Sequence, residues 1–122
     1  MDIENLEKID SLIISKLILE KMNIKYSPER IDKCAIEKSK ELKDILAHIE
    51  KIEDEWGVVK SDDGHSFGRK EKNETIKIWS VPSKSAQVLE NLVTLTNSKN
   101  ILEVGTSAGY AALHLASGAR KK

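Results

Sequence analysis

The sequence contains few cysteine, proline and aromatic residues, and it has no excess charge of either sign. Its 122 residues include one cysteine, two prolines and five aromatic side chains. The single Cys34 cannot form an internal disulfide, which fits a reducing cytoplasm. The 20 acidic and 20 basic side chains balance, so bulk charge directs the chain neither to nucleic acid nor to a membrane surface.

Long hydrophobic runs are also absent. No apolar stretch approaches the roughly 18 residues that a membrane-spanning helix needs. The first four residues, 1–4, are acidic in character and lack a basic segment followed by an apolar one, so we expect no signal peptide. These absences predict a cytoplasmic protein that has neither a nucleic-acid partner nor a membrane partner.

The N-terminal half has the periodicity of helices. Residues 3 to about 25 repeat apolar side chains at three- and four-residue steps, and a longer helix should run from Ser27-Pro28 to about Trp56. The apolar positions are Ile3, Leu6, Ile9, Leu12, Ile13, Leu17 and Leu19 in the first, and Leu42, Ile45, Ile49, Ile52 and Trp56 in the second. We therefore predict an antiparallel helical hairpin, acting either as a simple cap on its own domain or as a dimerisation or lid element.

The middle of the chain is polar and then changes character. Residues 57–74 read as a solvated loop, and Asp62, Asp63 and His65 within it do not have the spacing of a calcium loop. A β-prone segment at 75–82 ends at a proline, and a helix is expected from Ser83 to Thr96. The remaining histidines, His48 and His114, are read as structural. His48 has no second His, Cys or nearby acid at ligand spacing on its face, so we expect no metal site.

The last segment, from Ile101 onward, contains the residues that indicate a ligand. Ile101–Val104 reads as a short buried strand, Gly105–Gly109 as a tight turn, and a helix should begin around Ser107. The spacing Glu-x-Gly-x-x-x-Gly matches neither the dinucleotide fingerprint nor the phosphate loop. Glu103 at the strand tip would repel a phosphate, whereas ribose hydroxyls and an α-amino group are good donors to a carboxylate.

These residues resemble a known motif. Residues 101–110, Ile-Leu-Glu-Val-Gly-Thr-Ser-Ala-Gly-Tyr, are similar to the first motif of class I S-adenosylmethionine-dependent methyltransferases. The Gly-Thr-x-x-Gly-Tyr form is similar to the small-molecule O-methyltransferases related to catechol O-methyltransferase. The likeness extends over roughly Ile78 to Lys122.

The resemblance implies a cofactor and the residues that bind it. The cofactor is S-adenosyl-L-methionine, and the positions that match the family's binding residues are Val81, Glu103, Gly105, Thr106, Ser107, Gly109 and Tyr110. For Tyr110 a plain packing role is an equal alternative, and Trp79 is as well suited to packing as to cofactor contact. Ala111 replaces the serine that family members commonly carry, so backbone N–H groups must supply that contact if it is made.

The resemblance also implies a fold and a domain plan. We expect an α/β protein, the start of a Rossmann-like methyltransferase fold (first strand, glycine turn, first helix) preceded by the helical hairpin, with the chain as given mostly α. The expected division is 1–56 for the hairpin, 57–74 for the polar loop and 75–122 for a truncated start of the cofactor-binding domain. Residues 1–56 hold 14 acids and 10 bases, and residues 57–122 hold 6 acids and 10 bases, which supports two differently built halves.

The function implied is transfer of a methyl group to a hydroxyl of a small molecule. In the resembled family, later strands supply the catalytic base and any divalent-metal ligands. The catalytic residues are therefore unknown here. We expect the chain to be the N-terminal portion of an enzyme and to be inactive alone. A homodimer through the N-terminal helices is possible. The alternatives are a protein-L-isoaspartate-type methyltransferase, disfavoured by the segment Lys77–Val81, and a non-catalytic helical interaction module.

Overall fold

The computed structural model describes residues 3–56, 81–107 and 109–121, and the regular structure in these ranges is helical. In chain order the elements are α1 (Ile3–Lys21), a 3-10 turn (Pro28–Arg30) that continues into α2 (Ile31–Cys34), α3 (Lys40–Trp56), α4 (Ser83–Thr96) and α5 (Tyr110–Arg120). None of the helices in this part of the chain is both long enough and apolar enough to cross a bilayer.

Helix α4 lies at the centre of the arrangement. It packs against α1, α2 and α5, while α3 packs against α5. Its C-terminal end is closed by Asn97, which adopts a left-handed conformation (φ 52°), and by the hydrogen bond from the Ser98 N–H to the Val93 carbonyl. This is a common way to satisfy the last carbonyls of a helix. The start and the end of α4 agree with the prediction from sequence, which is confirmed.

Helices α4 and α5 run in the same direction and approach closely. Tyr110, at the start of α5, clusters with Ala86 near the start of α4. Gly118, eight residues later, lies against the Glu90 carbonyl and Val93, where an added Cβ would stand 2.6 Å from the carbonyl oxygen. Only a residue without a side chain fits this approach. The first turns of the two helices therefore lie at the same end of the pair.

A buried ionic cluster joins α4 to its neighbours. The Glu90 carboxylate, 1 % exposed, lies 3.1 Å from Lys38 Nζ, 2.9 Å from Lys121 Nζ and 3.2 Å from His114 Nδ1. The His114 contact is close but poorly aligned, because neither ring nitrogen has an aligned hydrogen-bond partner among the described residues.

The charge partners decide the ionisation of Glu90. Burial raises the pKa of this carboxyl, but the contact with His114 and the charges of Lys38 and Lys121 outweigh burial and lower the pKa to about 2. Two cations thus accompany one buried anion. The cluster links the segment before α3 and the residue after α5 to the central helix.

The predicted α/β fold class is wrong for the described residues. Residues 101–104 form no strand, and Leu102 and Val104 are each 90 % exposed rather than buried. A strand forms only when its N–H and C=O groups pair with a neighbouring strand, and the described part of the chain offers none. The turn and the helix that follow this segment do form.

The predicted helical hairpin is also corrected. The second helix does not run from Ser27 to Trp56, because residues 35–39 interrupt it. Ser39 starts a new helix, since its Oγ accepts a hydrogen bond from the Leu42 N–H at 3.2 Å. Helix α1 packs on α4 instead of pairing with α3. The division into domains at 1–56, 57–74 and 75–122 stays a prediction. The predictions for residues 57–80, including those for Asp62, Asp63, His65 and Trp79, concern residues outside the described ranges.

We predict that Gly118→Ala destabilises the protein. Helix propensity alone would make alanine more stable than glycine by about 1 kcal/mol. A net loss in the free energy of unfolding would therefore come from the contact between α4 and α5. Because the Glu90 carbonyl is backbone and cannot rotate away, we expect a net loss of about 1–2 kcal/mol in the free energy of unfolding, measured with urea. The exposed control Ala119→Leu should change it by less than about 0.5 kcal/mol. A stabilised Gly118→Ala variant would contradict this packing.

A second prediction concerns Glu90 and pH. Its pKa is lower in the folded protein than in the unfolded chain, so its stabilisation is present above the unfolded pKa and is lost as pH falls toward about 2. Near neutral pH, Glu90→Gln should cost about 3–5 kcal/mol, since two buried cations lose their partner. Urea titrations at several pH values should show that this cost shrinks below pH about 4. Exposed Glu41→Gln is the control, and a pH-independent cost would contradict the assigned ionisation.

Candidate functional site

The turn before α5 has a backbone shape that side chains seldom allow. Gly105 (φ 81°), Ser107 (φ 53°) and Gly109 (φ 87°) all have left-handed conformations. Two glycines in five residues make this path accessible, because they have no Cβ to clash with the following carbonyl. The hydrogen bond from the Gly109 N–H to the Thr106 carbonyl at 3.0 Å closes the turn.

The turn delivers the chain directly into a helix. Gly109 is the N-cap residue of α5, and its carbonyl accepts the first helical bond, from the Leu113 N–H at 2.9 Å. No side chain caps this helix end. Backbone N–H groups of a first helical turn have no partner inside the helix and carry partial positive charge. The predicted helix after the glycine turn is present and begins at Tyr110, three residues later than predicted.

The space above the turn is open. A Cβ built on either Gly105 or Gly109 meets no atom within 4 Å, and Thr106 and Ser107 are exposed. Glu103, two residues before the turn, is half-buried. A half-buried carboxylate, two exposed hydroxyls and uncapped N–H groups therefore occur within residues 103–110. This donor and acceptor set suits a ligand with both hydroxyl or amino groups and a carboxylate.

The remaining predicted site residue, Val81, lies at the same end of the molecule. It precedes α4 by two residues and is 38 % exposed. Because α4 and α5 run parallel, the segment before α4 and the turn before α5 lie at the same end of the pair. The structure thus places Val81 and the turn at the same end of the helix pair, and their shared role in binding stays a prediction.

Tyr110 points into the protein instead of onto the open surface. Its ring is 3 % exposed and clusters with Leu46 and Ala86, and its hydroxyl donates a hydrogen bond to the Glu50 carboxylate. The ring of His114 lies 5.1 Å away at an angle of 54°. Of the two roles left open for Tyr110, the described contacts are those of packing. Buried His114 agrees with the structural role expected for it.

A cavity of about 290 Å³ adjoins the first turns of α4 and α5. Ser83, Lys84 and Tyr110 border it, together with residues of α1 and α3, but the turn residues do not. Its charged lining is already engaged in ion pairs, as Lys84 with Asp10 and Lys43 with Glu37 show. The candidate site is therefore the open surface of the turn, separate from this cavity.

The sequence analysis did not identify the two glutamates that hold Tyr110 and α5 in place. Glu50, which anchors Tyr110, and Glu90, which anchors α5 through Lys121, were not singled out. Glu90 follows Ala86 by four residues and precedes Val93 by three, so a charge on the buried side of α4 was the available signal. Within the described ranges, no three His, Cys, Asp or Glu side chains are grouped closely enough to hold a metal ion.

Comparison with known proteins agrees with the motif. A family model described as O-methyltransferase matches residues 65–120, slightly less than half of the chain, and this range contains α4, the glycine turn and α5. No curated protein and no solved structure matches the chain. The match supports an O-methyltransferase-type function in the broad sense, while the narrower likeness to catechol O-methyltransferase stays a prediction. Residues 65–120 of this chain are thus similar to the class I S-adenosylmethionine-dependent O-methyltransferases.

Proposed function

We propose that this chain is the cofactor-binding N-terminal part of an O-methyltransferase that methylates a hydroxyl group of a small molecule. The observation that carries the proposal is the left-handed turn Gly105–Gly109, set between Glu103 and the uncapped start of α5 inside the matched range. The cofactor would be S-adenosyl-L-methionine, held against this turn.

The chemistry of the residues fits that cofactor. The Glu103 carboxylate would accept hydrogen bonds from ribose hydroxyls or from the amino group, which are donors. The N–H groups at the start of α5, and the Thr106 and Ser107 hydroxyls, would face the cofactor's carboxylate, because a helix start favours negative charge. Val81 would offer an apolar contact from the start of α4. These roles are proposals for this chain.

The open space at the two glycines supports close approach of the cofactor to the backbone. Any side chain at Gly105 would project into that space and would also strain a backbone at φ 81°. When bound, S-adenosylmethionine supplies a methyl group activated by its sulfonium. The residues of this chain would orient that group toward the hydroxyl of the acceptor.

We assign no residue of this chain as the catalytic base, and none to binding of the acceptor or of a divalent metal. We propose a small phenol or related hydroxyl compound as the acceptor, on the form of the Gly-Thr-x-x-Gly-Tyr motif. We also propose a cytoplasmic location, since the single cysteine, Cys34, has no second cysteine in the chain with which to form a disulfide. An isoaspartyl acceptor and a non-catalytic role are the outcomes that the following test would separate.

The proposal predicts binding of S-adenosylmethionine that depends on the turn. In calorimetry, Glu103→Ala and Gly105→Val should each weaken cofactor binding about 10- to 100-fold. The first variant removes a charged hydrogen bond, and the second blocks the approach of the cofactor to the backbone. Lys99→Ala, an exposed change close to the turn, should leave the affinity within about twofold. Circular dichroism checks that each variant keeps its helices.

Two results would contradict the proposal. Absence of binding would favour the interaction-module alternative, and unchanged affinity in both turn variants would move the site elsewhere. If binding holds, an extended enzyme that contains this chain should transfer methyl groups to small phenols but not to an isoaspartyl peptide. The reverse preference would replace the proposed acceptor class with the isoaspartate-type alternative.

A further inference from the structure

A cavity of about 340 Å³ lies between α1, α2 and the middle of α4. One part of its wall is polar and consists of buried side chains of α4 together with Lys38. An apolar wall that faces a few converging polar groups is the usual composition of a small-molecule site. The apolar part of this wall comes from α1, α2 and the residues after α2, and its members are Ile9, Leu12, Ile31, Ala35 and Ile36. We refer to this space as the α2 cavity.

Two hydrogen-bond donors on the polar wall lack an acceptor within the described ranges. Asn91 is 2 % exposed, and its Oδ1 accepts a hydrogen bond from Gln87 Nε2 at 3.2 Å, but its Nδ2 donates to no described group. Lys38 Nζ has three N–H groups. It donates to Gln87 Oε1 at 3.1 Å and lies 3.1 Å from Glu90 Oε1, so at least one N–H has no described acceptor. A ligand that carries an acceptor would satisfy both donors.

The charge along the polar wall is unbalanced. The Glu90 carboxylate is paired with both Lys38 and Lys121, whose side chains are 13 % and 5 % exposed. Arg30 adds a further cation nearby, since its guanidinium donates to two backbone carbonyls instead of to a carboxylate. The other carboxylate that borders the cavity, Glu37, is itself paired with two lysines. The buried group around Glu90 therefore carries excess positive charge, which a bound anion would balance.

We propose that the α2 cavity binds a small carboxylic acid that has an apolar body. The carboxylate would accept hydrogen bonds from Lys38 Nζ and Asn91 Nδ2, and the body would lie against the apolar wall. An amine would instead add a cation beside the two buried lysines, and an alcohol would leave their excess charge unbalanced. This proposal does not depend on the methyltransferase proposal, because the cavity borders neither the glycine turn nor Val81.

Alkylation of Cys34 reports whether the α2 cavity is occupied, because this residue borders the cavity and is the single cysteine of the chain. Burial raises the pKa of its thiol, so the reaction with iodoacetamide is followed by mass spectrometry at pH about 9. Benzoate is the probe, and benzamide, which has a similar size and no charge, is the matched compound at equal ionic strength. Saturating benzoate should slow alkylation at least about fivefold, and half-saturation should need about tenfold more benzamide.

Two outcomes of this measurement would overturn the proposal. Alkylation that is unchanged at about 20 mM benzoate would show that the cavity does not hold a carboxylic acid. Equal half-saturation by benzoate and benzamide would show that the positive charge does not select the ligand.

A matched pair of lysine variants tests the charged contact. Lys38→Met removes the ammonium group and keeps a side chain of similar length, so the benzoate concentration for half-protection should rise about tenfold. Lys40→Met makes the same change two residues later, at a side chain that is 86 % exposed, and should leave that concentration within about twofold. Equal effects of the two variants would overturn the role of Lys38. Circular dichroism checks that both variants keep their helices.

Ala35→Leu tests the apolar wall without changing any charge, and it decides the question if Lys38→Met does not fold. Because Ala35 adjoins Cys34, binding is read here from the side-chain amide signals of Asn91 in NMR. Benzoate should shift these signals in the unaltered protein, and Ala35→Leu should weaken its binding about tenfold because the larger side chain occupies part of the cavity. Ala119→Leu, an exposed change on α5, should leave the affinity within about twofold. Undiminished binding to Ala35→Leu, or no shift at Asn91 in the unaltered protein, would overturn the proposal.

Discussion

The close parallel packing of α4 against α5 is the contact on which the rest of the described structure depends. Gly118 permits it, because its missing side chain lets the Glu90 carbonyl lie where any Cβ would collide. The same packing sets the starts of the two helices side by side. The glycine turn and Val81 consequently share one end of the molecule, and the candidate site follows from a contact at the other end of α5.

Charge, more than apolar volume, holds the surroundings of this helix pair. Lys38 from the segment before α3 and Lys121 after α5 both reach the buried Glu90 carboxylate. Buried ionic groups add less net stability than apolar packing does, but losing one partner is expensive, so they fix the elements that carry them. Apolar side chains are exposed on α1, at Leu6, Ile9, Ile13 and Leu17, and within residues 101–104.

The sequence predicted local structure better than it predicted partners. Helix α4 has the predicted limits, since the proline before Ser83 and the left-handed Asn97 are local signals. The glycine turn and α5 also form where the motif indicated. The strand at 101–104 was predicted from apolar character alone, but a strand depends on neighbours that the described residues do not provide. The break before α3 was missed because the sequence alone does not distinguish Ser39 from other serines. In the structure its hydroxyl caps α3 by accepting a hydrogen bond from the Leu42 N–H.

The face of α1 shows a further limit of periodicity. Its apolar repeat was predicted to form one face, but Leu19 is buried on the side of Ser11 and Ser15 that meets α4, whereas Leu6, Ile9, Ile13 and Leu17 are exposed. A pattern of spacing identifies a face but does not say which neighbour that face meets. A helix that is apolar on more than one side needs two partners, and only the structure distinguishes which side is already covered.

The central claim is that the left-handed turn before α5 binds S-adenosylmethionine, and an NMR titration of the labelled protein tests it most directly. On addition of the cofactor, we predict that amide shifts concentrate at Glu103–Gly109, at the first turn of α5 and at Val81. Amides of α1 and of the middle of α3 should stay unchanged. Shifts confined to those helices, or no shifts at millimolar cofactor, would contradict the claim.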